Sequence, residues 1–181
     1  YWLTVVLVSV FGTLITDNLT DQLDVPLSIS TCVFGVLLVA TFVIWRSSEK
    51  TLSILEINSV KREIFYWLAV LTTFALGTAA GDWLSEGLHL GYALSAILFG
   101  AAIILVVIAH YAFGVSSVTT FWVAYVLTRP LGASCGDLLS KSSRYGGLGV
   151  GTVNTSIVFA ILILGLIAYL TRLQARDALS A

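Results

Sequence analysis

Residues 66–82 read YWLAVLTTFALGTAAGD, an aromatic-Trp pair, an apolar run, a glycine and a closing aspartate. The same frame occurs at 1–17, YWLTVVLVSVFGTLITD, and at 121–137, FWVAYVLTRPLGASCGD. Trp2, Trp67 and Trp122 each precede a glycine (Gly12, Gly77, Gly132) by 10 residues, and each glycine precedes an acid (Asp17, Asp82, Asp137) by 5. A frame of this length, largely apolar up to its closing acid, is a membrane helix written three times. It sets one carboxylate at the same depth of each copy, where an acid is costly to keep.

Composition agrees. Of 181 residues 58% are hydrophobic and 10% charged, and mean hydropathy is +0.99. Soluble domains carry about 25% charge, so this is the balance of a multi-pass helical protein whose surroundings are the lipid bilayer. A net charge of −1 gives no electrostatic sign of a nucleic-acid partner, and none is expected. Cys32 and Cys135 belong to no metal or redox motif and read as packing residues. The chain opens without Met, directly at a membrane helix, and a fragment is the expectation.

Apolar runs predict six helices near 1–17, 27–45, 65–84, 92–113, 119–139 and 151–170, each close to the ~20 residues needed to cross a bilayer. The even helices share a fainter signature: Ser30 before Phe34-Gly35, Ser95 before Phe99-Gly100, Thr155 before Phe159-Ala160. The repeat is therefore a helical hairpin, A over 1–45, B over 65–113 and C over 119–171, with a polar linker at 46–64 and a tail at 172–181. The linker reads either as a solvated connection or as a short surface amphipathic helix. Arg46, Lys50, Lys61, Arg62, Arg172 and Arg176 fall on one face, against Lys141 and Arg144 on the other. The positive-inside rule then makes the first face cytoplasmic, with both termini, and puts the aspartates near the external side. The aromatic-Trp pairs read as an interfacial belt. The expected fold is an all-α bundle of three parallel hairpins with pseudo-rotational symmetry.

Gly77 and Gly81, Gly132 and Gly136, and more weakly Gly12 and Thr16, form small-xxx-small ridges for close helix approach. Thr13 and Thr78 lie four residues before Asp17 and Asp82, so hydroxyl and carboxylate share a face; in the third copy Ala133 breaks this. Asp21, Asp24 and Glu86 add an external acidic mouth that would concentrate cations. Two readings of the acids stand. They hold helices together as caps and interhelical bonds, or they bind and relay a cation or proton.

Arg129, about ten residues into the fifth helix, needs a partner at that depth. Pro130 beside it removes a backbone donor and kinks the helix. An ion pair with a repeat Asp and a contact to an anion or substrate both fit. Asn154, Thr155, Ser95, Ser30 and Thr31 read as packing or backbone-bonded polar groups, and His110 as interfacial. The Gly-rich stretch 145–151 lacks the Lys-Ser/Thr of a phosphate loop and reads as a flexible turn. With no triad, HExxH or His/Cys cluster, the expectation is a protein that is not an enzyme and needs no cofactor; no metal is assigned. The function expected is a transporter or channel for a small cation or polar solute, using Asp17, Asp82, Asp137, Arg129, Thr13 and Thr78. The alternative is a non-transporting subunit, joined to a membrane-protein partner or a second copy, whose acids and Arg129 are interhelical pairs.

Segments 65–83 and 124–141, with 145–153, resemble a family of bacterial inner-membrane proteins built from tandem two-helix repeats of unknown function. The resemblance covers essentially the whole chain, and TRPLGAS at 128–134 is its most specific element. It implies four repeats and about eight spans in a full-length member, hence a further hairpin before residue 1. It implies no substrate or catalytic residue. Relatives carry a His in the linker where this chain has Leu55, so no role can rest on that position here.

Overall fold

The computed structural model describes residues 1–180, and side chains through Leu173. Six α-helices form: α1 Trp2–Asp17, α2 Leu27–Glu49, α3 Val60–Asp82, α4 Tyr92–Phe113, α5 Ser117–Ser140 and α6 Thr152–Ser180. No strand occurs among the described residues. Five helical segments are long and apolar enough to cross a membrane; α5 is not among them. Its length suffices, but Arg129, Asp137 and its many hydroxyls and glycines lower its mean hydropathy. The six expected helices form, and five helical segments, not six, have the length and composition of a span.

Local chemistry sets the boundaries. Pro26 sits just ahead of α2, where its missing N–H leaves no helical bond unmade. Lys50, at φ 61°, ends α2 by returning its N–H to the Arg46 carbonyl at 3.0 Å. Ser59 caps α3, its Oγ accepting from the Arg62 N–H at 3.3 Å, so α3 begins five residues earlier than the apolar run indicates. Gly114, at φ 66°, closes α4. Both ends of the expected 46–64 linker belong to α2 and α3, and the ten residues left between them, 50–59, hold no separate amphipathic helix, only a 3-10 turn at Ile54–Glu56 that includes Leu55, 90% exposed. Arg62 pins this linker by donating to Glu49 (2.9 Å), the Glu56 carbonyl (2.7 Å) and Asn58 Oδ1 (3.3 Å).

The chain divides into two compact units, Tyr1–Cys135 and Gly136–Ala181. In the first, α3 is central. Its most apolar window is 44% buried, against 11–22% for the other three candidate spans of this unit. Small residues make this possible: Ala69, Ala75, Gly77, Ala79 and Gly81 are all buried. A Cβ added to Gly12 of α1 would lie 2.5 Å from Phe74 Cβ and 3.1 Å from the Ala75 nitrogen. A Cβ on Gly77 would collide with Arg129 of α5, and one on Gly81 would meet Ala133 at 3.2 Å. Gly132 and Gly136 carry the same motif but face open space.

Trp45, Trp122, Leu38 and Ala69 form the main core between α2, α3 and α5. Trp45 and Trp122 meet edge to face at 5.7 Å, and the Trp122 indole donates to the Leu52 carbonyl at 2.9 Å. Trp122 is 4% exposed, whereas Trp2 is 60% exposed. The belt reading therefore fails for Trp122, which holds the linker onto the helices. Outside this core the helices show apolar side chains outward. Leu3, Val6, Val36, Val39, Ile97, Ile104 and Leu105 are each more than half exposed, the inverse of a soluble bundle and suited to lipid.

In the second unit the Gly-rich stretch is an ordered cap. Leu148, Gly149 and Val150 donate their N–H groups to the carbonyls of Leu138, Lys141 and Leu139 at 2.7–3.0 Å. These are carbonyls a helix end leaves without internal partners. Gly146, Gly149 and Gly151 take φ of 83°, 72° and 84° to make the turn.

Candidate functional site

Asp17 and Asp82 occupy the same structural position. Each is the last residue of its α-helix and is followed by five π-helical residues, Asn18–Gln22 and Trp83–Gly87. The wider spacing is made by Leu23 N–H to the Asn18 carbonyl (3.3 Å) and Leu88 N–H to the Trp83 carbonyl (2.8 Å). Beyond each π segment the chain reverses through a residue at positive φ, Asp24 (52°) and His89 (56°), 65 positions apart. Such α-to-π changes of register disturb the carbonyl ladder and are frequent at functional sites. Nothing in the apolar pattern marks them; the paired turn lengths after Asp17 and Asp82 are their one trace in the sequence. Both aspartates are half-buried.

Asp137 lies in the second unit, inside α5, with its carbonyl accepting from Lys141 N–H at 2.9 Å. No π segment follows it: α5 continues to Ser140. The first two acids are structural equivalents, and the third has a different backbone setting.

Thr13 and Thr78 do meet, but with one another: their hydroxyls are 3.3 Å apart. At the other end of the same helices Tyr1 and Tyr66 hydroxyls are 3.0 Å apart. Both pairs are 65 residues apart, so α1 and α3 touch in repeat register at two levels. Thr16, buried, donates to the Ala75 carbonyl at 2.9 Å and fixes the same contact.

Arg129 is gripped by aromatic groups. Its guanidinium carbon lies 3.8 Å from the centre of the Phe74 ring and 4.6 Å from that of Tyr125. One Nη donates to the Tyr125 hydroxyl at 2.6 Å, while the buried Nε has no hydrogen-bond partner. A planar guanidinium suits such stacking, and each ring contributes ~0.5–2 kcal/mol depending on desolvation. Phe74 and Arg129 are repeat equivalents, and each receives the glycine of the preceding copy, Gly12 and Gly77. The charge that breaks the repeat thus stands at the helix contact that the repeat conserves.

Glu86 accepts from the Tyr92 hydroxyl at 2.7 Å. Asp21, Asp24 and Glu86 are exposed. Ser30, Ser95 and Thr155, each the fourth residue of its helix, are 2%, 0% and 5% exposed, with no hydrogen-bond partner on the hydroxyl. Their recurrence in the sequence marked them, but not their burial. Among the described residues no three His, Cys, Asp or Glu side chains gather as a metal site. Arg176 lies outside the described side chains.

The chemistry on offer is acids at helix discontinuities, buried hydroxyls and one aromatic-bound cation. A search of curated proteins and a search of solved structures each found no match. A family model described as Repeat of Unknown Function (DUF347) matches residues 1–51, 65–116 and 120–176. Those three matches coincide with the three aromatic-Trp/Gly/Asp frames and their hairpins, and the chain belongs to this repeat family.

Proposed function

We propose that this chain transports a small cation or polar solute across a bacterial inner membrane. In this reading the linker and both ends of the chain are cytoplasmic, and the hairpins run parallel around a pseudo-rotational axis. Asp17, Asp82 and Asp137 contribute carboxylates to the pathway, Arg129 is an internal counter-charge, and the exposed Asp21, Asp24 and Glu86 gather cations at its outer end. No catalytic step is assigned to it.

The observation that carries the reading is the shared position of Asp17 and Asp82, each ending an α-helix where π-helical backbone begins. In many transporters the unwound carbonyls and C-terminal ends of broken helices coordinate a cation within the membrane, and an acid at such a break adds charge. A second reading draws on Arg129, whose place at the α3–α5 contact fits a structural subunit that uses polar groups to hold helices and partners.

Flux in proteoliposomes separates the two. Protons and monovalent and divalent cations are offered to the wild type and to Asp17/Asp82/Asp137→Asn. Flux that disappears in a variant still eluting as a folded species supports the pathway. Absence of flux for every cargo, with a variant that falls apart, supports the structural subunit.

A further inference from the structure

The linker end of the first unit holds a cleft of about 410 Å³ lined by Tyr1, Tyr66, Trp67, Glu63, Ile54 and Ile57. Its volume lies within the range of small-molecule sites, ~300–1,000 Å³. Three of its six walls are aromatic. The Tyr1 and Trp67 rings lie 5.9 Å apart and tilted, Tyr66 and Trp67 pack edge to face at 5.1 Å, and the bonded Tyr1 and Tyr66 hydroxyls fix both phenol rings. The 3-10 turn contributes Ile54 to the lining, and Ile57, just after it, adds a second apolar wall.

Glu63 is the one charged side chain among these walls. Its Oε1 accepts from the Trp67 indole at 3.3 Å, which positions the carboxylate against the aromatic group. The basic neighbours are engaged elsewhere: Lys61 Nζ and Arg62 Nε both bind Glu49, at 3.2 and 2.9 Å. Both cations of the first turn of α3 are thus directed to the one acid of α2, and no ion pair to Glu63 occurs among the described residues.

We propose that this cleft binds an organic ammonium ion, with the quaternary methylammonium group as its best-fitting head. Ring faces attract a cation through their quadrupole, and aromatic cages with a nearby carboxylate suit a charge that carries no N–H donor. A hard metal ion fits poorly, since it needs six or more oxygen ligands and the walls offer one carboxylate and two phenols. The two isoleucines suit methyl groups. The same head group occurs on free solutes and on choline lipids, and the test below tells the two sources apart. This inference uses neither Asp17 nor Asp82 and stands or falls apart from the transport reading.

The test is calorimetric titration with tetramethylammonium chloride, against sodium chloride at equal ionic strength, of the whole chain in a choline-free maltoside detergent. Saturable binding of the organic ion is expected. Glu63→Gln, which keeps an acceptor for Trp67, should weaken it at least about fivefold, consistent with loss of a close charge. Glu56→Gln should leave it unchanged. Ile57→Trp, which fills the cleft from the linker without altering a helix, should abolish it and guards against misfolding of the first variant. Repeating the titration in nanodiscs assigns the source. Weaker apparent affinity in phosphatidylcholine than in phosphatidylethanolamine discs, both zwitterionic, identifies the lipid head group as occupant; equal affinity identifies a free solute. Absence of saturable binding, or Glu63→Gln and Ile57→Trp variants that bind like the wild type, overturns the proposal.

Discussion

At the scale of single residues, Trp122 shows how burial changes the meaning of a motif. Trp2, Trp67 and Trp122 stand at one repeat position, yet Trp122 is enclosed by Trp45, Phe42 and Tyr125 and reaches the linker backbone at Leu52. Trp122→Phe keeps a ring in the core but leaves the Leu52 carbonyl without its donor, which costs about 1–3 kcal/mol. Thermal unfolding in detergent should show a lower midpoint for this variant, and none of comparable size for Trp2→Phe, whose ring is largely exposed. Arg129 makes a parallel case. Arg129→Lys preserves charge but loses the planar face between Phe74 and Tyr125, so it should also lower the midpoint; a lysine variant as stable as wild type would show that charge alone is needed there. Neither enclosure could be seen in the sequence. A residue's partners at distances of 70 positions, as with Trp122 and Leu52, depend on which helix becomes central.

At the scale of elements, the helices and their small-residue ridges were legible because apolar length and glycine spacing are local properties. The pairing of ridges was not. Gly12, Gly77 and Gly132 look alike in sequence, but only the first two face a neighbouring helix closely. Gly77→Ala therefore forces a Cβ into Arg129 and should destabilise by about 1–3 kcal/mol through overpacking, while Gly132→Ala should be neutral or slightly stabilising through its helix preference. Matched thermal melts of the two variants check this contrast. The linker gives a different kind of prediction. Arg62 makes three bonds that tie Glu49, Glu56 and Asn58 together, most of them near the surface, where an ion pair is worth ~0–1 kcal/mol. Arg62→Ala should leave the global midpoint nearly unchanged yet speed cleavage by a glutamate-specific protease within the linker, since local opening draws on those few bonds. The π segments and the Gly-rich cap of α5 were the least legible elements. Both are set by where carbonyls at a helix end find donors, and apolar periodicity carries no record of that.

At the scale of the molecule, the repeat predicts a contact that can be trapped. If the hairpins are copies packed in register, equivalent positions of α1 and α3 must stay opposed along their length. The hydroxyl pairs Tyr1–Tyr66 and Thr13–Thr78, 3.0 and 3.3 Å apart, are two such positions near opposite ends of the helices. Thiols replacing the Thr13 and Thr78 hydroxyls would therefore lie within reach of a disulfide, which tolerates only a narrow range of geometry. In a background with Cys32→Ser and Cys135→Ser, mild oxidation of the Thr13→Cys/Thr78→Cys chain in membranes should give a crosslink within one molecule. The pair Leu14→Cys/Thr78→Cys should not, because Leu14 is turned about 100° away on the helix and is 48% exposed. The crosslink would be seen after protease cleavage in the 46–64 linker, where the two fragments stay together until a reductant is added. Crosslinking by both pairs at equal rates would mean that α1 slides or rotates against α3. A register so loose could not keep Asp17 and Asp82 at one depth, and the proposed shared pathway would lose its geometric basis.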